Sequence, residues 1–326
     1  MANRRILLFA LVIVIGLTVL KLGKNLIDSR LGANDDEVEI IRSDEHIQLV
    51  ENEEGLRKTV MYFKNSDGFL VPLMRKIPWE EGIARATLKN MIDSPEVREI
   101  LAPTGLIPVI PAGTEILGIS INETGLCKVD FSAEALNNQT EKDEENFIKG
   151  VVYTLTEFPT INEVQILVEG KAIQSTAFGH DLSKPLARGD INLLGNPEDG
   201  RSKVVVYYKG MDTEEFEYFV PVTIPTMAPV ANVYSALDLL FEGPPLDSGL
   251  YSDIPRGIVL NGVEVKDGTA YVDISYDGQE IGDSMVTDLL KNIGLTLSQF
   301  KEIQNVELLI DGEAINSAIP VFANEY

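Results

Sequence analysis

The sequence predicts an α+β protein. It reads as two tandem two-layer α/β sandwiches, each ββαββαβ with a mostly antiparallel sheet and two helices, preceded by an N-terminal transmembrane helix. Three observations carry this. A segment recurs: Phe158–Ile173 reappears as Phe300–Ile315 with seven of sixteen residues identical, at an offset of 142. Upstream, Val129-Asp-Phe-Ser132 matches Val272-Asp-Ile-Ser275 at offset 143, and Ile110-Pro-Ala-Gly113 matches Ile254-Pro-Arg-Gly257 at offset 144. Collinear matches with one-residue drifts are the mark of a duplicated domain. Finally, each copy carries hairpin-like runs of period two and two stretches with apolar residues at helical spacing.

Along the chain, Ile6–Leu20 is apolar except for Gly16 and Thr18 and follows Arg4 and Arg5. Fifteen helical residues span only ~22 Å, but extension through Leu22, Leu26 and Ile27, with Lys21 and Lys24 snorkelling, reaches ~33 Å, enough for a hydrocarbon core of ~30 Å. Lys21-Leu-Gly-Lys24 is a poor cleavage site, so residues 1–33 read as an uncleaved signal anchor, with the bulk of the chain extracytoplasmic and a single pass through the cell membrane. No cysteine follows the apolar run, which excludes a lipid-modified N-terminus. Residues 34–57 form an acidic, self-repelling spacer.

The first copy is placed at 58–174. Thr59–Phe63 and Phe69–Leu73 read as strands around Asn65-Ser-Asp-Gly68. Ala84, Leu88, Met91 and Ile92 mark a helix that stops before Pro95. Ile116–Ile121 and Leu126–Phe131 flank Asn122-Glu-Thr-Gly125 as a hairpin. Phe147, Ile148, Val151 and Leu155 mark a second helix, and Val164–Val168 closes the unit. Residues 175–201, rich in Gly, Pro, Asn and Asp, read as a linker. The second copy, 202–326, repeats the order. Val204–Tyr208 and Phe216–Thr223 are strands, and a helix begins at Ala228-Pro229 with a stripe from Val230 to Phe241 and stops at Gly243-Pro244. A hairpin follows around Lys266-Asp-Gly268, then a helix on Val286, Leu289, Leu290, Ile293 and Leu297, and a last strand, Val306–Ile310.

Charge narrows the function. The net charge is −24, and residues 1–34 hold five basic side chains against Asp28, so the remainder carries −28. Such a surface repels phosphate backbones, and nucleic acid is not expected as a partner. The membrane is expected to be met through the N-terminal helix alone. His46 and His180 are the only histidines, and they fall in the spacer and the linker, where neither supports a Ser-His-Asp triad or a zinc site. Cys127, the only cysteine, shares strand parity with Val129 and Phe131 and reads as a small buried hydrophobe. Asp130 and Asp273 are equivalent, each followed two residues later by serine. They could be halves of a carboxylate pair, yet they lie in different copies without a second partner, and a turn-stabilising role fits better. Trp79, Tyr153 and Phe158 read as packing aromatics rather than sugar platforms. Gly113/Gly257, Gly125/Gly268 and Gly170/Gly312 recur at turns and read as positive-φ positions. No catalytic, cofactor-binding or metal-binding residue is predicted, and no cofactor.

Four stretches together carry a resemblance: Ala112–Ile121, Gly125–Ser132, Val151–Pro159 and Val164–Gly170. In sequence and spacing they resemble the GerMN domain of sporulation and spore germination proteins, in two tandem copies over about 58–316. The resemblance implies a non-enzymatic, membrane-anchored extracytoplasmic scaffold or assembly component in sporulation or germination. Its implied partners are other envelope or sporulation proteins. The other function considered is a binding module for cell-wall polymer or a small ligand. With its charge of −28 the soluble part is expected to be monomeric alone.

Overall fold

A computed structural model describes residues 38–39, 55–78, 82–252, 254–255, 257–277, 282–315 and 324–326. The predicted anchor, nearly all of the acidic spacer, His46 and Trp79 lie outside them. Among the described residues no helix is long and apolar enough to cross a membrane.

After a two-residue strand β1 (Val38–Glu39), the first copy opens with a ribbon of β2 (Leu56–Lys64) and β3 (Leu70–Pro78), paired antiparallel without a break from Leu56↔Pro78 to Lys64↔Leu70. Its turn is the predicted one: the Asn65 side chain accepts from Phe69 N at 2.8 Å, and Gly68 takes φ 81°. Two short helices follow, α1 (Ile83–Lys89) and α2 (Pro95–Leu101). Then come β4 (Ile116–Ile121), β5 (Leu126–Phe131), α3 (Glu141–Leu155) and β6 (Glu163–Val168).

The second copy has a longer ribbon of β7 (Ser202–Thr213) and β8 (Phe216–Thr226), then α4 (Val233–Glu242), β9 (Ile258–Lys266), β10 (Thr269–Tyr276), α5 (Asp283–Leu297) and β11 (Asn305–Ile310). Here β12 (Glu313–Ile315) and β1 both pair antiparallel with β11, while β13 (Asn324–Glu325) returns to lie parallel to β3 of the first copy.

The expected elements are present, with three corrections. First, each copy does not hold one mostly antiparallel sheet. The opening ribbon stands apart, and the sheet is the mixed triplet β4-β5-β6 or β9-β10-β11, whose last strand runs parallel to the middle one. The connection through a whole helix is what allows a parallel return. Second, Pro95 does not simply end a helix: α1 stops at Lys89, and Pro95 begins α2 at its first turn behind Ser94, whose hydroxyl accepts from Val97 N at 3.2 Å. Third, Ala228-Pro229 does not start a helix. Asn232 is the N-cap, closing a box with Ser235, and Val230 is left exposed before it. The linker, residues 175–201, packs closely: Leu182, Ile191 and Asn192 are buried, and Leu186 exchanges two 2.8 Å backbone hydrogen bonds with Val164.

The predicted stripes on α3 and α5 are buried, and the apolar side chains of both copies merge into one continuous core. Duplication extends to polar detail. A threonine buried within each long helix accepts a backbone N–H from the ribbon: Tyr62 N to Thr154 Oγ1 at 3.0 Å, and Tyr207 N to Thr296 Oγ1 at 3.2 Å. Both edge strands also bulge by one residue at matching places, Leu117 in β4 and Asn261 in β9. Such a bulge interrupts an open edge and disfavours pairing with a foreign strand.

Candidate functional site at the junction of the two copies

The ribbons of the two copies meet through β3 and β8, and two buried asparagines fasten them. Asn192 accepts from Leu70 N at 2.8 Å and donates to Leu70 O at 2.7 Å and Pro221 O at 2.8 Å. Asn324 answers from the other side. It accepts from Phe219 N at 2.5 Å and donates to Pro72 O at 2.7 Å and Phe219 O at 2.9 Å. Each amide touches both ribbons, and between them the two side chains satisfy outward backbone groups of Leu70, Pro72, Phe219 and Pro221. Asn192 takes φ 47°, a left-handed conformation that asparagine tolerates better than most residues.

Beside the clamps lies a buried ionic and aromatic cluster. Glu157, 3% exposed, accepts from Tyr62 OH at 3.0 Å and from Arg188 Nη2 at 2.5 Å. Arg188 also donates from Nε to Thr156 Oγ1 at 2.8 Å, and its guanidinium lies 5.1 Å from the centre of the Tyr153 ring. Tyr153 donates to Gly189 O at 2.5 Å. Burial pushes the Tyr153 phenol up to about 12 and holds those of Tyr62 and Tyr207 well above the usual range, Glu157 adding to each. Desolvation alone would lower the Arg188 pKa, but the charge of Glu157 and its hydrogen bond outweigh that, and Arg188 stays charged. The phenols are therefore held neutral, and the pairing of Arg188 with Glu157 fixes the segment before β7.

The residues weighed in the sequence fall as follows. His180 is not a bare surface histidine: its Nδ1 lies 2.7 Å from Oε1 of Glu144, which is fully buried on α3, and Thr176 donates to the same oxygen. Cys127 is fully buried, and burial raises its thiol to about 11. Phe158 and Tyr153 are buried packing residues. Asp130 and Asp273 do the same work in the two copies. Oδ1 of Asp130 accepts from Gly170 N at 2.8 Å, and Oδ1 of Asp273 from Gly312 N at 2.9 Å. Each thereby ties the middle strand to the turn after the last strand, where Glu169-Gly170 and Asp311-Gly312 all have positive φ. Among the described residues no three His, Cys, Asp or Glu side chains are grouped to hold a metal ion. Asn192, Glu157 and Arg188 escaped the sequence reading. The only signal was an asparagine and an arginine inside the linker of residues 175–201.

Two outcomes follow for these residues. Asp130→Ala is expected to cost about 1 kcal/mol in urea unfolding for its one lost hydrogen bond, and Asp273→Ala somewhat more, because Oδ2 of Asp273 also accepts from Asn261 Nδ2 at 3.3 Å. Cys127 is expected to resist a thiol reagent at pH 8 at a rate set by unfolding. With its folded pKa raised from about 8.5, the stability it confers is complete below that value and is lost as pH rises toward 11. Rapid labelling of native protein would contradict this.

A duplicated α+β unit whose recurring polar side chains hold its own backbone is the class of protein defined so far. The family model for sporulation and spore germination, Germane, matches residues 60–174 and again 205–316, so the chain belongs to that family. It is 28% identical over 265 residues to the spore germination protein GerM of Bacillus subtilis (strain 168), a match covering 78% of this chain and 71% of that one. The solved tandem GerMN domains of the sporulation protein GerM from Bacillus subtilis superpose with a TM-score of 0.71 at 26% identity, covering 83% of this chain and 99% of that chain. The two-copy organisation expected from the repeat is thus shared with GerM.

Proposed function

We propose that the chain is a non-enzymatic scaffold, anchored in the membrane by residues 1–33, whose two copies stand outside the cytoplasm and join an assembly of envelope proteins in sporulation or spore germination. The observation that carries this reading is the use made of the recurring polar residues. Asp130 and Asp273, and Thr154 and Thr296, bind the fold's own backbone, and Asn192 and Asn324 join the copies. What two copies preserve in common is a shape. Kinship with GerM supports the setting. The −28 charge of the body opposes close self-packing within a Debye length of ~10 Å at 0.1 M salt. A monomer alone and a partner with neutral or basic faces follow from this.

The test is recovery of the tagged full chain from sporulating cells. Extraction by detergent only, together with a stoichiometric envelope protein, is expected. Recovery in the soluble fraction without a partner would overturn the reading. Light scattering of residues 34–326 across a salt series is expected to give a monomer throughout, and a stable low-salt oligomer would show that charge does not limit self-association.

A further inference from the structure

A single asparagine-glycine step occurs in the sequence, Asn261-Gly262, and the fold sets it at the bulge of β9. The register passes from Asp273↔Gly262 to Ile274↔Leu260, so Asn261 stands opposite no residue of β10 and the strand leaves its regular path there. Asn261 is exposed, yet both ends of its side-chain amide are held by β10. Its Oδ1 accepts from Ser275 Oγ at 3.1 Å, and its Nδ2 donates to Asp273 Oδ2 at 3.3 Å.

The duplicate separates what the fold requires here from what has been added. Leu117-Gly118 occupies the matching bulge of β4, so the glycine recurs and the asparagine does not. Ser132, the counterpart of Ser275, serves the backbone by accepting from Glu115 N at 2.9 Å, whereas Ser275 donates to the Asn261 amide. Asp130 and Asp273 each hold a glycine N–H with Oδ1, and Oδ2 of Asp273 reaches Asn261. The amide and its two partners thus belong to the second copy alone.

We propose that Asn261 is a self-modification site, at which the chain's own backbone converts the side-chain amide to an acid. The nitrogen of Gly262 attacks Cγ of Asn261. A bond forms between that nitrogen and Cγ, the Cγ–Nδ2 bond breaks, and the proton released from Gly262 N passes to Nδ2, which departs as ammonia. Water opens the resulting cyclic imide at either carbonyl and leaves aspartate or its isomer with a lengthened main chain. Glycine, having no Cβ, lets the attacking nitrogen approach closely. Ser275 donates to the oxygen on which negative charge gathers as the nitrogen adds, and Asp273 stands beside the leaving nitrogen, where it can relay the proton. The product acts back on the fold. The new carboxylate no longer donates to Asp273 and repels it, and Asp273 is the group that holds the Gly312 turn.

Peptide mass spectrometry of the full chain, incubated at mildly alkaline pH either folded or in guanidinium chloride, follows the conversion. The folded chain is expected to convert at Asn261 at least as fast as the unfolded one. Ser275→Ala is expected to slow the folded chain about fivefold, the worth of one hydrogen bond, and to leave the unfolded rate unchanged. Gly262→Ala is expected to slow both states at least about tenfold by crowding the attacking nitrogen. It should fold normally, since Gly262 lies outside the left-handed region and a methyl group there would meet no atom within 4 Å. If Gly262→Ala nevertheless fails to fold, Ser275→Ala decides the matter. Slower conversion in the folded chain than in the unfolded one, or equal folded rates for wild type and Ser275→Ala, would overturn the proposal.

Discussion

Replacing Asn192 by alanine is expected to destabilise the protein by about 3–5 kcal/mol. The amide makes three hydrogen bonds to main-chain groups that are buried between the ribbons. Alanine leaves Leu70 N, Leu70 O and Pro221 O without partners, and each orphaned group costs about 1–3 kcal/mol when water cannot reach it. Alanine also tolerates φ 47° less well than asparagine. Urea unfolding monitored by far-ultraviolet circular dichroism measures the loss. Asn192→Asp should be nearly as harmful, because it keeps the acceptor for Leu70 N but loses the two donors and introduces a buried charge. A loss below about 1 kcal/mol for Asn192→Ala would mean that the ribbons do not depend on this clamp.

The second large effect is expected at Arg188. Arg188→Met should cost about 3 kcal/mol, chiefly because Glu157 would remain buried with only Tyr62 to meet its charge. Arg188 itself keeps 36% of its side chain exposed, which places the cost below that of a fully enclosed pair. The combination Arg188→Met, Glu157→Gln should recover most of the loss, since the uncompensated charge is then gone. If the double variant is as unstable as Arg188→Met alone, the contacts of Arg188 with Tyr153 and Thr156 matter more than its charge.

The sequence made the repeat legible because the repeat is made of the things a sequence displays well. Phe158/Phe300, Ile161/Ile303 and Val164/Val306 are all buried, and the Gly170/Gly312 turns take the positive φ that their recurrence implied. A structural role for Asp130 and Asp273 was readable for the same reason, but not its partner: each accepts from the turn after the last strand and not from the turn that follows its own strand. Strand partners were less so. Alternation tells which face of β6 is buried but not whether its neighbour runs parallel, and the separate status of the β2–β3 ribbon depends on long-range packing that local pattern does not encode. Val230 and Pro229 looked like a helix start because the apolar spacing continued backward, but the capping box of Asn232 and Ser235 decides the boundary.

The junction was hidden for a different reason. A segment rich in Gly, Pro, Asn and Asp satisfies the usual description of a linker, yet three of its side chains, Asn192, Arg188 and His180, find buried partners more than twenty-five residues away. Polar residues at such a junction carry no periodicity. Only the pairing reveals them, and the duplicate gives no help, because Asn324 lies 132 positions after Asn192 rather than at the repeat offset.

Coupling of the two copies is most directly tested by differential scanning calorimetry of the chain beside Asn192→Ala. One continuous core and two reciprocal clamps predict a single transition whose calorimetric and van't Hoff enthalpies agree, shifted downward but still single or newly split in the variant. Two separate transitions in the wild-type protein, unchanged by Asn192→Ala, would show that the copies fold independently and would contradict a scaffold that presents them as one body.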